Sequence, residues 1–386
     1  MTKFDVIIGG GSMVGAAMAL GLARRHWQVA VVEPHPVQPF SASQPPDLRV
    51  SAISAASETL LDALGAWDAV SAMRLCPYSR LAVWEAPGSR TEFDADKINV
   101  SRLGHIIENR ILLLGLLEAL KACSTVTWFN AAVSQLSVGK PSSLCLSDHQ
   151  VLEAPLIIGA DGGRSKVREL AGIGTSGWQY SQQAMAISVK TQAPQQDITW
   201  QEFHPSGPRA FLPLYDGYAS LVWYDSADKI RELQSLSPAQ LKAAIKTAFP
   251  PELVDFEVLD TAAFPLARMH ANQYVKNNVV LVGDAAHTIN PLAGQGLNLG
   301  FKDVACLLNE LDGIEAGDSE ALGNALKRYE RKRRPDNLIM MSAMDAFYLG
   351  FSNDIAPLRL ARNLALSLAE RSGPIKDKVM KYAIGL

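Results

Sequence analysis

The stretch FDVIIGGGSMVGAAMALGLARRHWQVAVVE, Phe4 to Glu33, decides the fold. Phe4 to Ile8 reads as a short buried strand, and Met13 to His26 carries alanines and leucines at helical spacing. Gln28 to Val32 is a second strand that stops at Glu33. The turn between the first strand and the helix is Gly10-Gly11-Ser12-Met13-Val14-Gly15, with an acid eighteen residues after Gly15. This is a βαβ opening of dinucleotide-binding type. Glycines there permit a tight turn and close backbone approach, so that a pyrophosphate rests on the helix N-terminus and the acid, Glu33, takes a ribose hydroxyl. Ser12 departs from the pattern by occupying the second glycine position. Gly9 to Gly11 offer a shifted turn as an alternative, and a purely structural glycine turn is the plainer reading of this motif taken alone.

Composition sets the bounds around that opening. The chain has 386 residues, 48% hydrophobic and 19% charged, enough for more than one core. A net charge of -3 argues against nucleic acid as a partner. Cys76, Cys123, Cys145 and Cys306 show no CxxC spacing and read as reduced thiols of a cytoplasmic protein, and the seven histidines form no HExxH or similar pair, so no metal site is expected. The apolar N-terminus also has the look of a secretory signal, but Asp5 and the small residues Gly9 to Ser12 interrupt it and favour strand, turn and helix. Elsewhere no uninterrupted apolar run is long enough to span a bilayer.

Two further strands end as the first one does. Leu156 to Ile158 runs into IIGADGGRSKVR, which delivers Asp161 and Gly162 before a helix opened by Ser165 and Arg168. Val279 to Val282 runs into GDAAHTINPLAGQG, which delivers Asp284 and then a Pro-Leu-Ala-Gly-Gln-Gly turn that opens a helix near Leu297. Three such strands, far apart in sequence, suggest one sheet assembled from separated segments. The intervening Ala210 to Tyr224, AFLPLYDGYASLVWY, reads as a hairpin about Asp216-Gly217; with Met185 to Val189 and Thr199 to Phe203 it predicts an inserted, mainly antiparallel domain. From Ser319 onward the periodicity is helical.

Singly, each motif has a bland explanation. Together, GGGSMVG with its distal Glu33, GADG with Ser165 and Arg168, and GDAAH with Pro291, Gln295 and Asn298 resemble the FAD-dependent aromatic hydroxylases, the family typified by para-hydroxybenzoate hydroxylase. The resemblance spans essentially the whole chain and implies an α/β fold: a glutathione-reductase-type FAD-binding domain over 1–75, 106–175 and 266–318, an inserted substrate domain over 76–105 and 176–265, and a helical region over 319–386. It implies that Gly10, Gly11, Ser12, Val14 and Gly15 hold the pyrophosphate and that Glu33 holds the adenosine ribose. Asp161 and Gly162 would serve flavin and pyridine nucleotide, a capped surface helix being the plainer reading of that motif alone; Asp284 would meet the ribityl chain, and Ala285, Leu297 and Asn298 would also bind the cofactor. Gly294-Gln295-Gly296 would present backbone N–H groups to the flavin pyrimidine, where a helix N-terminus favours developing negative charge. Pro291 would sit where oxygen reacts. Arg49, in DLRVSAIS, and Asn109, opening ENRILLLGLLEAL, are weaker transfers to the cofactor, since polar residues favour such positions anyway.

Within the family, RVSAISAASETLLDALGAWDAVSAMR, GPRAFLPLYDGYASLVWYDS, MDAFYLGFSNDIAPLRLARN and the terminal KYAIGL resemble the ubiquinone-biosynthesis branch. That branch implies hydroxylation of the ring of a 2-polyprenyl-3-methyl-6-methoxy-1,4-benzoquinol, with NAD(P)H as donor and O2 as cosubstrate, through a flavin hydroperoxide in a dry pocket. Siblings that oxidise other ring positions share the three motifs, so the motifs fix the cofactor and not the ring carbon. Flavin halogenases are set aside because their WxWxIP string is absent, and a non-enzymatic prenyl-binding carrier would not need the GD motif and its GQG turn. Phe203, Phe211, Leu212, Pro213, Trp223 and Tyr224 are the expected pocket wall, though each such residue in a strand is more often plain core than substrate contact. His270 tempts as an acid or base but reads better as a structural histidine. From Pro357 onward a basic, leucine-bearing helix suggests contact with an anionic surface at the inner face of the plasma membrane, with other pathway enzymes, or with a lipid carrier; a helix docked on the body is the plainer reading.

Overall fold

The computed structural model describes residues 2–290, 295–371 and 373. Expectations placed on Pro291, on Gly294, on the Gln295 side chain and on KYAIGL lie outside the described residues.

The three strands that run into glycine do lie side by side. Leu156–Gly159 pairs in parallel with both Val6–Gly9 and Val279–Leu281. The sheet continues from Val6–Gly9 through Val29–Val32 to Val126–Phe129, and Val275–Lys276 closes the other edge. Every residue of Val6–Gly9, Val29–Val32 and Leu156–Gly159 is buried, as expected of a parallel sheet covered on both faces. The first helix, Met13–Ala23, is shorter than its periodicity predicts: His26, at φ 63°, turns the chain left-handed and ends the helix early.

The second sheet has eight strands, and its two long members, Thr175–Thr191 and Phe256–Ala271, absorb the short runs visible in the sequence. It is antiparallel except where Ile198–Glu202 lies parallel to Arg80–Trp84. The hairpin about Asp216 is wider than the expected two-residue turn. Leu214 and Tyr218 close it, N–H to carbonyl at 2.8 Å, with three residues between them. Asp216 and Gly217 both take positive φ there.

Helices Ala227–Ser235 and Pro238–Ala248 cover one face of this sheet over a core that includes Trp84, Trp200, Phe211, Trp223 and Phe249. Alternate residues of a strand point to opposite faces. Leu212 therefore turns the other way, into a cluster with Val50, Ala52 and Ile106, and Tyr224 packs with Ala184 and Leu266.

C-terminal to the motifs, the 33-residue helix Ser319–Phe351 begins at Asp318, whose carboxylate accepts the Glu320 and Ala321 N–H groups. A last helix, Ala356–Arg371, docks on the sheet's edge strand Thr91–Asp94. Thr91 Oγ1 donates to the Leu366 carbonyl at 2.9 Å, and the Glu92 N–H donates to Glu370 at 2.9 Å. The docked reading of this helix holds, and the basic face is corrected in part: Arg362 is buried against Glu85, and Arg359 pairs with Asp354 at 3.0 Å. Beside the exposed Arg359, the helix leaves Leu360, Leu364 and Leu368 exposed at four-residue steps.

Candidate active site

At the carboxyl ends of the parallel strands the backbone segments are stitched together. The Gly10 N–H donates to the Val32 carbonyl at 2.8 Å, the Ala160 N–H to Gly9 at 2.7 Å, and the Val282 N–H to Gly159 at 3.0 Å. Here glycine is a steric requirement. A Cβ on Gly10, which has φ +97°, would lie 2.4 Å from the Ala160 carbonyl oxygen, and one on Gly15 would lie 1.9 Å from that of Gly10. One on Gly11 would strike the Trp128 ring at 2.4 Å. Gly10 is thus the turn glycine and Gly15 the packing glycine, so Ser12 stands at the second position of the pattern. It is exposed and makes no side-chain cap to the helix it precedes.

Glu33 reaches back to this turn. Its carboxylate accepts the Gly11 N–H at 2.9 Å and the His35 N–H at 3.0 Å, which leaves acceptor capacity on both oxygens. It lines a cavity of about 400 Å3 together with Gly11, Ser12, Val37, Trp128 and Asn130. A cavity of this size beside a helix N-terminus fits the adenosine end of a dinucleotide. A second cavity, about 510 Å3, lies between the two helices after the motifs, and its lining of Lys302, Glu310, Lys332 and Asp336 is that of a solvated groove.

The second motif is held by local hydrogen bonds. Asp161 accepts hydrogen bonds from the Lys166 and Val167 N–H groups at 2.7 and 3.0 Å and from the Ser165 hydroxyl. One oxygen therefore caps the helix Lys166–Leu170 and the other holds the Ser165 hydroxyl, with acceptor capacity left on the latter. Gly162, at φ +78° with nothing near its would-be Cβ, leaves backbone open at that point. Arg168 joins this motif to the third by donating to the carbonyls of Gly163 and Ala285, both at 2.8 Å.

In the third motif the turn rests on Asp303, a residue the sequence reading missed. Asp303 is fully buried and accepts the Gly283 N–H at 3.0 Å, His287 Nε2 at 2.5 Å, Arg333 Nε at 2.7 Å and Asn337 Nδ2 at 3.0 Å. Burial alone would raise its pKa, but the charges and hydrogen bonds of His287 and Arg333 outweigh it and hold the carboxyl below the usual range. The network continues from Asn337 to the Tyr274 hydroxyl at 3.2 Å and from there to His270 at 2.9 Å. His270 is thereby structural, as expected, and burial with the nearby Arg334, His287 and Arg268 pushes its pKa down to about 4. One clue was available: Asp303 lies four residues from buried Leu299 and four from buried Leu307, a lone carboxylate on an apolar helix face.

Asp284 leaves the same turn in the opposite sense. Water reaches its carboxyl, yet the protein packed around it and the charge of Asp303 raise its pKa, against the opposing influence of His287 and Arg49. Asn298 turns its side chain to the protein. Its amide is buried and binds the Ser54 N–H at 3.0 Å, the Ser57 hydroxyl at 2.8 Å and the Ala52 carbonyl at 2.7 Å, tying the motif helix to the strand Val50–Ser54. Asn109 likewise accepts the Ser51 hydroxyl at 2.7 Å. Val14 packs on the third motif, where a Cβ at Gly300 would lie 2.7 Å from it; Ala285 is buried, and Leu297 packs on the main core.

Among the expected wall residues, Phe211 and Trp223 are corrected because they lie in the helix-covered core, and Pro213 shares their strand parity. Leu212 and Tyr224 are on the opposite face. Phe203 faces the long helix, its ring stacked on Phe351 at 4.2 Å. Among the described residues there is no cluster able to hold a metal ion, and no helix is long and apolar enough to cross a membrane.

A parallel sheet whose strand ends meet in three such turns, joined to a large antiparallel sheet, defines an FAD-dependent monooxygenase. Residues 3–342 match the FAD binding domain family, and the chain belongs to it. It is 49% identical to 3-demethoxyubiquinol 3-hydroxylase of Escherichia coli, over 99% of this chain and 98% of that protein. It is 35% identical to the ubiquinone hydroxylase UbiL of Rhodospirillum rubrum, over 99% and 89%. The fold is shared with p-nitrophenol 4-monooxygenase PnpA from Pseudomonas putida, at a TM-score of 0.79 and 20% identity over 100% of this chain and 97% of that one.

Proposed function

We propose that the chain hydroxylates the ring of a polyprenylated benzoquinol, 2-polyprenyl-3-methyl-6-methoxy-1,4-benzoquinol, in ubiquinone biosynthesis. The observation that carries this is the near full-length identity of 49% to the demethoxyubiquinol hydroxylase. FAD, reduced by NAD(P)H, supplies the O2 activation such a hydroxylation needs. The chain's own part is to bind, orient and keep dry. Gly10, Gly11 and Gly15 admit the pyrophosphate by presenting backbone where a Cβ would intrude, and Glu33 accepts from the adenosine ribose. Asp284 takes a ribityl hydroxyl, and Arg49 faces it across the site. Backbone N–H groups at Gln295 and Gly296, at the start of the helix Gln295–Glu310, offset negative charge near the flavin pyrimidine. Leu212 and Tyr224 belong to the face that walls the substrate, and Phe203 to its border with the long helix. Contact with a membrane surface is part of the proposal and uses Leu360, Leu364 and Leu368.

Quinones extracted from aerobically grown cells with and without the gene provide the test. Accumulation of the demethoxy intermediate with loss of ubiquinone is the expected result. Accumulation of an earlier phenolic intermediate would move the enzyme to a sibling ring position, and an unchanged quinone pool would reject the substrate.

A further inference from the structure

Met340, Met341, Met344, Phe347 and Phe351 follow one another along the long helix at helical spacing and share one side of it. From Met340 to Phe351 this strip is about 16 Å long. At its near end Met340, Met341 and Met344 pack with Ile289 and Leu299, the two residues that bracket the flavin loop. At its far end Phe347 and Phe351 lie 5.6 Å apart, ring to ring, with Phe203 of the substrate sheet at 6.2 and 4.2 Å from them. Asp345 is the one carboxylate in this segment, and it is turned aside to Arg268 at 2.6 Å and to the Tyr180 hydroxyl at 2.6 Å. Phe347 is 46% exposed, and most of the exposed large hydrophobic side chains among the described residues fall between 338 and 368, beside the exposed ion pair of Asp354 and Arg359.

We propose that this strip binds the isoprenoid tail of the substrate, leading it from the flavin loop to the apolar surface. The inference rests on the reading above that the substrate is polyprenylated. A ring held at the flavin must send its tail past apolar side chains that start at the flavin loop, and the Ile289–Met344 cluster, buried except at Met344, starts there. The other large apolar cluster of the substrate sheet is sealed under two helices. Methionine and phenylalanine also suit a chain of repeating, flexible units, because the thioether adapts its shape to the guest. A bilayer or a second copy of the chain would account for the exposed end of the strip, but not for its continuation to the flavin loop.

The test compares two demethoxyquinols with the same ring, one bearing a farnesyl tail and one a methyl group, on FAD-loaded full-length enzyme. Met344→Gln with Phe347→Gln should lower kcat/KM for the farnesyl quinol about tenfold, the loss expected from uncovering roughly two methylene groups. The ratio of the two kcat/KM values should collapse by the same factor. A ratio equal to wild type overturns the proposal. So does a variant that keeps the ratio but no longer sediments with phosphatidylglycerol vesicles, which would assign the strip to the bilayer. If the wild type hydroxylates neither quinol, the substrate reading fails on its own, and calorimetric titration with farnesol decides the strip: binding weakened by the double substitution upholds it, and equal or absent binding rejects it.

Discussion

At the ends of the parallel strands, backbone meets backbone, and an added Cβ on Gly15 would lie 1.9 Å from a carbonyl oxygen. Along the antiparallel sheet, side chain meets side chain, and Phe211 and Leu212, adjacent in sequence, serve opposite faces. The first region admits a ligand by what its residues lack, the second by which way they point. Changes should therefore act on cofactor retention in the one region and divide between stability and substrate recognition in the other.

The largest effect is expected at Gly15. Gly15→Val has no room for its side chain and should abolish FAD retention, read as loss of flavin absorbance in the purified protein. Asp303→Ala should follow, since it takes one of two carboxylates from the buried Arg333 guanidinium and leaves the Gly283 N–H and His287 without their acceptor; urea unfolding should show a loss of about 3–5 kcal/mol. Phe211→Ala should cost a similar or slightly smaller amount, about 3–4 kcal/mol, yet leave KM for the quinol near wild type because Phe211 lies on the sealed face. A changed KM with stability intact would break the division of faces.

A smaller effect concerns pH. His270 has its folded pKa pushed down to about 4, below the ordinary value near 6.5. The unfolded chain therefore takes up a proton between those values and the folded chain does not, so the stabilisation is complete above about pH 6.5 and is lost as pH falls towards 4. Denaturant melts at pH 7 and pH 4.5 should differ by about 2–3 kcal/mol from this group, and His270→Gln should flatten that part of the profile. The smallest effect is Ser12→Gly, which restores the second glycine and should tighten FAD binding several-fold in dialysis, about 1 kcal/mol.

Much of the flavin side was legible because its constraints are local. A strand that ends in glycine, a turn that excludes Cβ and a helix that follows occupy a dozen consecutive residues, and Gly10, Gly15 and Glu33 stand where that logic puts them. The protein partners of Asp161 and Asn298 were hidden for the opposite reason. Both are polar residues at motif positions, but they bond the helix Lys166–Leu170 and the strand Val50–Ser54, and only the fold reveals those partners. The Asp303 network was hidden further, since Arg333 and Asn337 lie 30 and 34 positions away on another helix. On the sheet, alternation divides Phe211 from Leu212 but does not say which set is sealed; that depends on the helices Ala227–Ser235 and Pro238–Ala248 and where they pack.

The docking of the last helix on the strand Thr91–Asp94 bears on colloidal behaviour. That strand is the outermost of eight, and an outermost strand offers unpaired backbone groups to any neighbouring chain. The Glu92 N–H is already taken by Glu370, and Thr91 is bound to the carbonyl of Leu366. A chain shortened before Ala356 would present this edge uncovered and should associate sheet to sheet as its concentration rises, whatever its activity.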